Sequence, residues 1–366
     1  MSLRSANAVD FWRGLALASI FINHIPGFFY ERFTHRNFGI SDSAELFVFL
    51  AGFSARALAG RRDTLSMQTM MLRVGARGVQ LYAAQILITM VAIAMIAAAA
   101  IVWENPLLLE WHNAAAVFQD PVQAHVGLVL LSHQLGFFDI LPLYVVLMLG
   151  AVSLAAVHRL APWAILPGSA AVYLAAHAFR LNVPTWPVEG EWLFNPFCWQ
   201  LIFVIGFVAA GEGALAFARR HSLLLRGLGL IGAAIGLSIV VFRLWPDPLR
   251  MPEPALLFVV DKSYLSPLRL FHALSLVVLF AGLFGHISAR VPAIAGYFCL
   301  LGRNSLYVFC LGSLLSLAGQ LARFHFGGTL GIDTVVLVLG LTLLGLTGWL
   351  SELRARLKSS ATASRE

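Results

Sequence analysis

The chain is 366 residues long, 59% of them hydrophobic and only 12% charged, with a mean hydropathy of +0.82. That balance excludes an ordinary water-soluble domain, in which about a quarter of the residues carry charge, and specifies a polytopic membrane protein. A formal net charge of +7 calls for no nucleic-acid partner, because the cytoplasmic loops of membrane proteins collect Lys and Arg.

Apolar runs centred on residues 10–29, 43–60, 80–102, 140–158, 163–180, 197–217, 223–242, 268–287, 297–320 and 331–350 predict an all-α bundle of about ten transmembrane helices. Residues 1–351 read as one membrane-embedded domain and 352–366 as a cytoplasmic tail, whose last stretch, SSATASRE, has the composition of a disordered end. The first run is interrupted by Asn23, His24 and Pro26 and carries no small-residue cleavage site, so it is expected to stay as the first helix.

That first run holds an ionisable pair, Arg13 and His24, eleven positions apart. Eleven residues at about 100° each bring both side chains to one helix face, roughly 16 Å apart along the axis. Charged or titratable groups at membrane depth are costly and tend to face a bundle interior or a watery cavity. Arg13 could instead snorkel to the interface, and His24 could bond a neighbouring helix. Asp10, three residues before Arg13, is spaced to hold its guanidinium.

Further along, LRVGARGVQLY carries Arg73 and Arg77 just before the third run. Both suit the phosphates of an anionic ligand, and both also suit the positive-inside rule. The segment 121–138 is apolar but contains two histidines, and it reads as re-entrant or interfacial. Asp139, Glu189, Glu191, Trp192, Asn195 and Gln200 fall near expected outer ends, a mixture of carboxylates, amides and an indole that suits sugar hydroxyls and ring faces. Trp103, Trp111, Trp186 and Trp245 are better suited to the interface belt. Arg269 and His272 open the eighth run, where they could bind a free carboxylate or anchor the helix. Cys198, Cys299 and Cys310 have no paired spacing and imply neither metal nor disulfides.

With the N terminus inside, Arg4, Arg56, Arg61, Arg62, Arg73, Arg77, Arg159, Arg219, Arg220, Arg226, Arg290, Arg354, Arg356, Lys358 and Arg365 collect on the inner side. Only Arg32, Arg36, Arg180, Arg243, Arg250, Lys262, Arg269 and Arg323 fall outside. An even number of spans then leaves both termini in the cytoplasm.

Taken in order, these residues resemble a known group. VDFWRGLALASIFINH, with its Arg, ten residues and His, is similar to the opening of the membrane acyltransferase-3 superfamily, and SAELFVFLAGFSAR resembles that superfamily's second span with Ala51 in place of a commoner Ser. FDILPLYVVL, WLFNPFCWQLIFVIG and LGRNSLYVFCLGSLLS together resemble the OpgC family of osmoregulated periplasmic glucan succinyltransferases, over most of residues 7–350. The resemblance implies transfer of an acyl group, succinyl in the characterised case, from a cytoplasmic acyl-CoA to hydroxyls of a periplasmic glucan at the bacterial inner membrane. It implies Arg13 and His24 as motif residues and an arginine motif entering the third span, here Arg73 or Arg77, which lie four apart where three is usual.

The chemistry agrees with that implication. A sugar hydroxyl attacking a thioester must lose its proton, and a neutral histidine such as His24 suits the task. No tightly bound cofactor or metal is expected; acyl-CoA is a substrate. Acetylation of another surface glycan is the alternative enzyme. A secondary transporter or a glucan-export partner without chemistry is the alternative class, although the internal duplication common in transporters is missing from the sequence.

Overall fold

The computed structural model describes residues 6–59, 66–245 and 260–363. Arg4, Arg61, Arg62, Arg250 and Arg365, used in the loop-charge comparison, lie outside the described residues. The helices are, in chain order, α1 (Ala8–Asn23), α2 (Ser43–Ala59), α3 (Met67–Val102), α4 (Ala115–Gln119), α5 (Pro121–Val129), α6 (Ile140–Leu160), α7 (Ile165–Phe179), α8 (Pro196–Ala209), α9 (Glu212–Arg220), α10 (Ser222–Val241), α11 (Pro267–Phe280), α12 (Phe284–Arg290), α13 (Pro292–Arg303), α14 (Ser305–Phe326) and α15 (Leu330–Ala363). Among the described residues there is no β-strand, only an isolated bridge between Pro184 and Glu191.

Among the described residues, five helices, α3, α6, α10, α14 and α15, are long and apolar enough to cross a membrane, and two bent pairs bring the number to as many as seven. Ten were expected, and the difference has identifiable causes. α1 and α7 have 16 and 15 residues, whereas a helix that crosses about 30 Å of hydrocarbon at 1.5 Å per residue needs about 20; α2 is followed directly by residues outside the described ones. The run at 197–217 is bent by 85° between α8 and α9, and the run at 268–287 by 47° between α11 and α12. The run expected at 297–320 starts instead at Ser305, after a break at Asn304. α5, in the segment read as re-entrant or interfacial, has nine residues, about 14 Å, and cannot cross. The C-terminal helix runs on through most of the stretch expected to be disordered, to Ala363.

The described chain divides into two compact units, one of Met1–Asn37 with Val277–Glu366 and one of Phe38–Leu276. In the first, α1 packs on α13 and α14, and α14 on α15. Two glycines permit the α1–α13 contact: a Cβ on Gly14 would lie 1.9 Å from the Phe298 carbonyl oxygen, and one on Gly302 1.8 Å from that of Asp10. In the second, α2 packs on α8, α3 on α6 and α7 on α8. Gly52 and Gly206 let α2 and α8 touch backbone to backbone in the same way. Small residues are how helices approach where lipid offers no hydrophobic gain for association.

Candidate functional site

In the first unit, the N terminus of α1 is built by Asn7. Its side-chain oxygen accepts the Asp10 N–H at 2.9 Å and its amide donates to Asp10 Oδ2 at 2.6 Å. The buried Asp10 carboxylate therefore sits in the first turn, where the helix dipole favours an anion. Its other oxygen lies 3.9 Å from Arg13 Nη1, the pairing that the three-residue spacing suggested. His24 closes the helix rather than lying within it, with φ −86° and ψ 7° and its N–H bonded to Ile20 O. Pro26 and the positive φ of Gly27 carry the chain away from the helix axis. The His24 carbonyl accepts the Gln320 side-chain amide at 2.5 Å.

The other two donor candidates belong to the second unit. Arg73 is exposed and Arg77 partly exposed on the N-terminal part of α3, where Arg77 donates to Gln80 at 2.7 Å. With 36 residues, α3 is roughly 54 Å long, so its arginine end extends past the apolar stretch that could sit in lipid.

The second unit also holds a buried charged cluster built around the start of α2. Asp42 and Glu45 form a reciprocal cap: Asp42 Oδ1 accepts the Ala44 N–H at 2.8 Å, and Glu45 Oε2 accepts the Asp42 N–H at 2.9 Å. Each carboxylate keeps its second oxygen for a cation. Asp42 Oδ2 accepts Lys262 Nζ at 2.7 Å and Arg269 Nη2 at 3.1 Å, while Glu45 Oε1 accepts Arg269 Nε. Burial alone would push the Asp42 carboxyl up, but the charges of Lys262 and Arg269 and the bonds from Lys262 and Ala44 outweigh it and hold the group well below the usual carboxylate range. Asp139, at the head of α6, is pushed up to about 6 by burial, partly countered by the charge of Lys262. His272, one turn after Arg269, has Nδ1 2.7 Å from Ser41 Oγ. Its ring is wedged so tightly that a Cβ on Gly39 would lie 2.4 Å from it and one on Gly236 2.2 Å.

Of the acceptor candidates, Asp139, Arg269 and His272 thus share one neighbourhood. The Arg269 guanidinium engages two carboxylates through Nε and Nη2, so a ligand carboxylate would bind beside them through its remaining N–H donors. Glu191, Asn195 and the buried Trp192 line a second group of loops joined to the first by residues 261–265. Glu191 Oε2 accepts Asn182 at 3.1 Å and Tyr264 Oη at 3.3 Å. Asn195 caps α8 through Phe197 N–H and donates to Leu181 O, while its own N–H reaches Ser263 O. Lys262 places its ammonium in the charged cluster and over the Phe194 ring, and its carbonyl accepts Trp199 Nε1 at 3.0 Å. Gln200 lies apart from these, tying α8 to α7 through Ser169, and Glu189 is exposed in the turn before Glu191.

Ser41, Asp42, Glu45 and Lys262 were missed from the sequence. Two signals could have found them: Asp42 and Glu45 three apart at the start of an apolar run, and Lys262 as one of only two lysines in the chain. Among the described residues, no group of three or more His, Cys, Asp or Glu could hold a metal ion.

No curated protein and no solved structure matches the chain. The family model described as OpgC protein matches residues 4–356, from before the Asp10–Arg13 pair to beyond the apolar part of α15. With nearly its whole length covered by that model, the chain belongs to the OpgC family, which implies a glucan-modifying acyltransferase.

Proposed function

We propose that the chain is a multi-pass protein of the bacterial inner membrane, within the acyltransferase-3 superfamily, that moves a succinyl group from cytoplasmic succinyl-CoA to a hydroxyl of a periplasmic glucan. The observation that carries this reading is the family match over residues 4–356, with Arg13 in the second turn of α1 and His24 at its C-terminal cap. His24 is the general base. The glucan oxygen attacks the thioester carbonyl carbon, its proton passes to the imidazole, the new C–O bond forms, and the C–S bond breaks to release coenzyme A as thiolate. The proton on His24 then neutralises that thiolate.

The charge for the phosphates of the donor comes from Arg13, held by Asp10, or from Arg73 or Arg77. Asp139, Glu189, Glu191, Trp192, Asn195 and Gln200 serve the acceptor, with Arg269 and His272 on the acyl carboxylate. The donor is consumed in the reaction, and no bound cofactor takes part.

The test is replacement of His24 by Gln, which keeps hydrogen-bonding capacity but cannot take the proton. Membranes carrying the variant should hold parental amounts of protein and transfer radiolabelled succinyl to glucan about 10²- to 10⁴-fold more slowly, the usual loss when a general base is removed. Near-parental labelling would remove His24 from the chemistry. Glucan exported without label in parental membranes would favour a transport role over acyl transfer.

A further inference from the structure

The turn that carries His24 is held by one polar face of α14, and we propose that this face positions the imidazole for proton transfer, with Gln320 as the central positioning residue. The inference rests on the reading of His24 as the base.

Ser316, Gln320 and Arg323 stand at i, i+4 and i+7, so they project from one side of α14. They meet three carbonyls spaced three residues apart at the end of α1. Ser316 Oγ shares its hydrogen between Phe21 O and Gly312 O, both at 2.9 Å, while Gln320 Nε2 donates to His24 O at 2.5 Å and Arg323 Nη2 to Gly27 O at 2.8 Å. Asp333, on α15, completes the frame by accepting Arg323 Nη1 and, through its other oxygen, the Phe29 N–H at 2.8 Å. Tyr30 Oη lies 2.9 Å from Thr334 Oγ1, one residue further along both segments. Ser316, Gln320 and Asp333 are 1%, 8% and 2% exposed, so their side chains are withdrawn from solvent, whereas the Arg323–Gly27 bond lies at the surface. Gly319 allows the close approach, since a Cβ there would lie 2.8 Å from Ile25 Cδ1.

A helix end leaves carbonyls without intrahelical donors, and each is costly if buried unpaired. A local turn could have satisfied them. Here side chains of another helix do so, and the consequence is that the backbone of His24 is registered against α14 from three points. His24 sits at the cap, where the path of the turn decides where its ring lies. Displacement of a reacting group by about 1 Å can cost about 10²-fold in rate. Gln320 therefore acts through His24 without touching substrate.

The decisive variant is Gln320→Met, which keeps the length and volume of the side chain and removes its donor. In full-length protein supplied with radiolabelled succinyl-CoA and unacylated periplasmic glucan, kcat should fall about 10- to 100-fold, with KM for both substrates within about twofold of parental. In the His24→Gln background the same substitution should change the residual rate by less than about twofold, because the group that it positions is gone. Arg323→Lys, which keeps the charge opposite Asp333 but loses the fork geometry, should lower kcat to a smaller extent and decides the matter if Gln320→Met does not accumulate. Parental kcat in the accumulating variants, or an equal loss in both His24 backgrounds, would overturn the positioning role while leaving His24 as base. Parental transfer by His24→Gln would overturn both.

Discussion

Replacing Arg269 by Met would leave Glu45, 1% exposed, facing an apolar side chain with its outward oxygen deprived of the guanidinium. Asp42 would keep Lys262 at 2.7 Å and its bond from Ala44, so the uncompensated charge falls chiefly on Glu45. Breaking a buried pair from one side costs about 3–5 kcal/mol, much of it the expense of a stranded charge rather than the worth of the pair. Adding Glu45→Gln removes that charge and retains an oxygen for the Asp42 N–H, so the cap on α2 survives. The double variant Arg269→Met/Glu45→Gln should therefore recover part of the loss, the remainder being about 1–3 kcal/mol for a buried amide with imperfect partners. The assay is the melting temperature of the detergent-extracted protein, read by the loss of its monodisperse gel-filtration peak. A double variant no more stable than Arg269→Met alone would refute the argument that the cluster is governed by charge compensation.

Asp139, pushed up to about 6 from its ordinary 3.8, binds its proton more tightly folded than unfolded, so its contribution is present at low pH and is lost as pH rises through the window of about 4 to 6. Asp139→Asn should abolish that loss, and the melting temperature of the variant minus that of the parent should increase from pH 4 to pH 6.5; a constant difference would contradict it. Gly302→Ala, whose Cβ would lie 1.8 Å from Asp10 O, should destabilise by about 1–3 kcal/mol through overpacking. Gly296→Ala on the same helix, with nothing within 4 Å, should be neutral or stabilising in the same melting assay. A periplasm-active reporter fused after Arg365 should stay silent if both termini are cytoplasmic, and strong activity would reverse the orientation.

What the sequence determined by itself rests on local rules. Hydropathy and run length specify membrane helices because lipid leaves the backbone no partner but itself, and α3, α6, α10 and α15 lie where those runs predicted. The Asp10–Arg13 pair follows from a three-residue spacing on one helix, and Pro26 with Gly27 signals that α1 must end near His24. Breaks in the chain were less legible. The 85° bend after α8 and the start of α14 at Ser305 interrupt stretches that remain apolar on both sides, so hydropathy passes over them.

Partnerships across long separations were settled by the tertiary structure alone. Arg269 reads from sequence as a cation at a helix start, equally fit for a ligand or for anchorage; only folding brings it to Glu45 and Asp42, 224 and 227 residues away. Gln320, Arg323 and Asp333 carry no signal of any connection with His24, which lies 296 residues before Gln320. Hydrogen bonds and ion pairs depend on ångström-scale approach, and that approach is fixed by how helices pack, not by any pattern within a single helix.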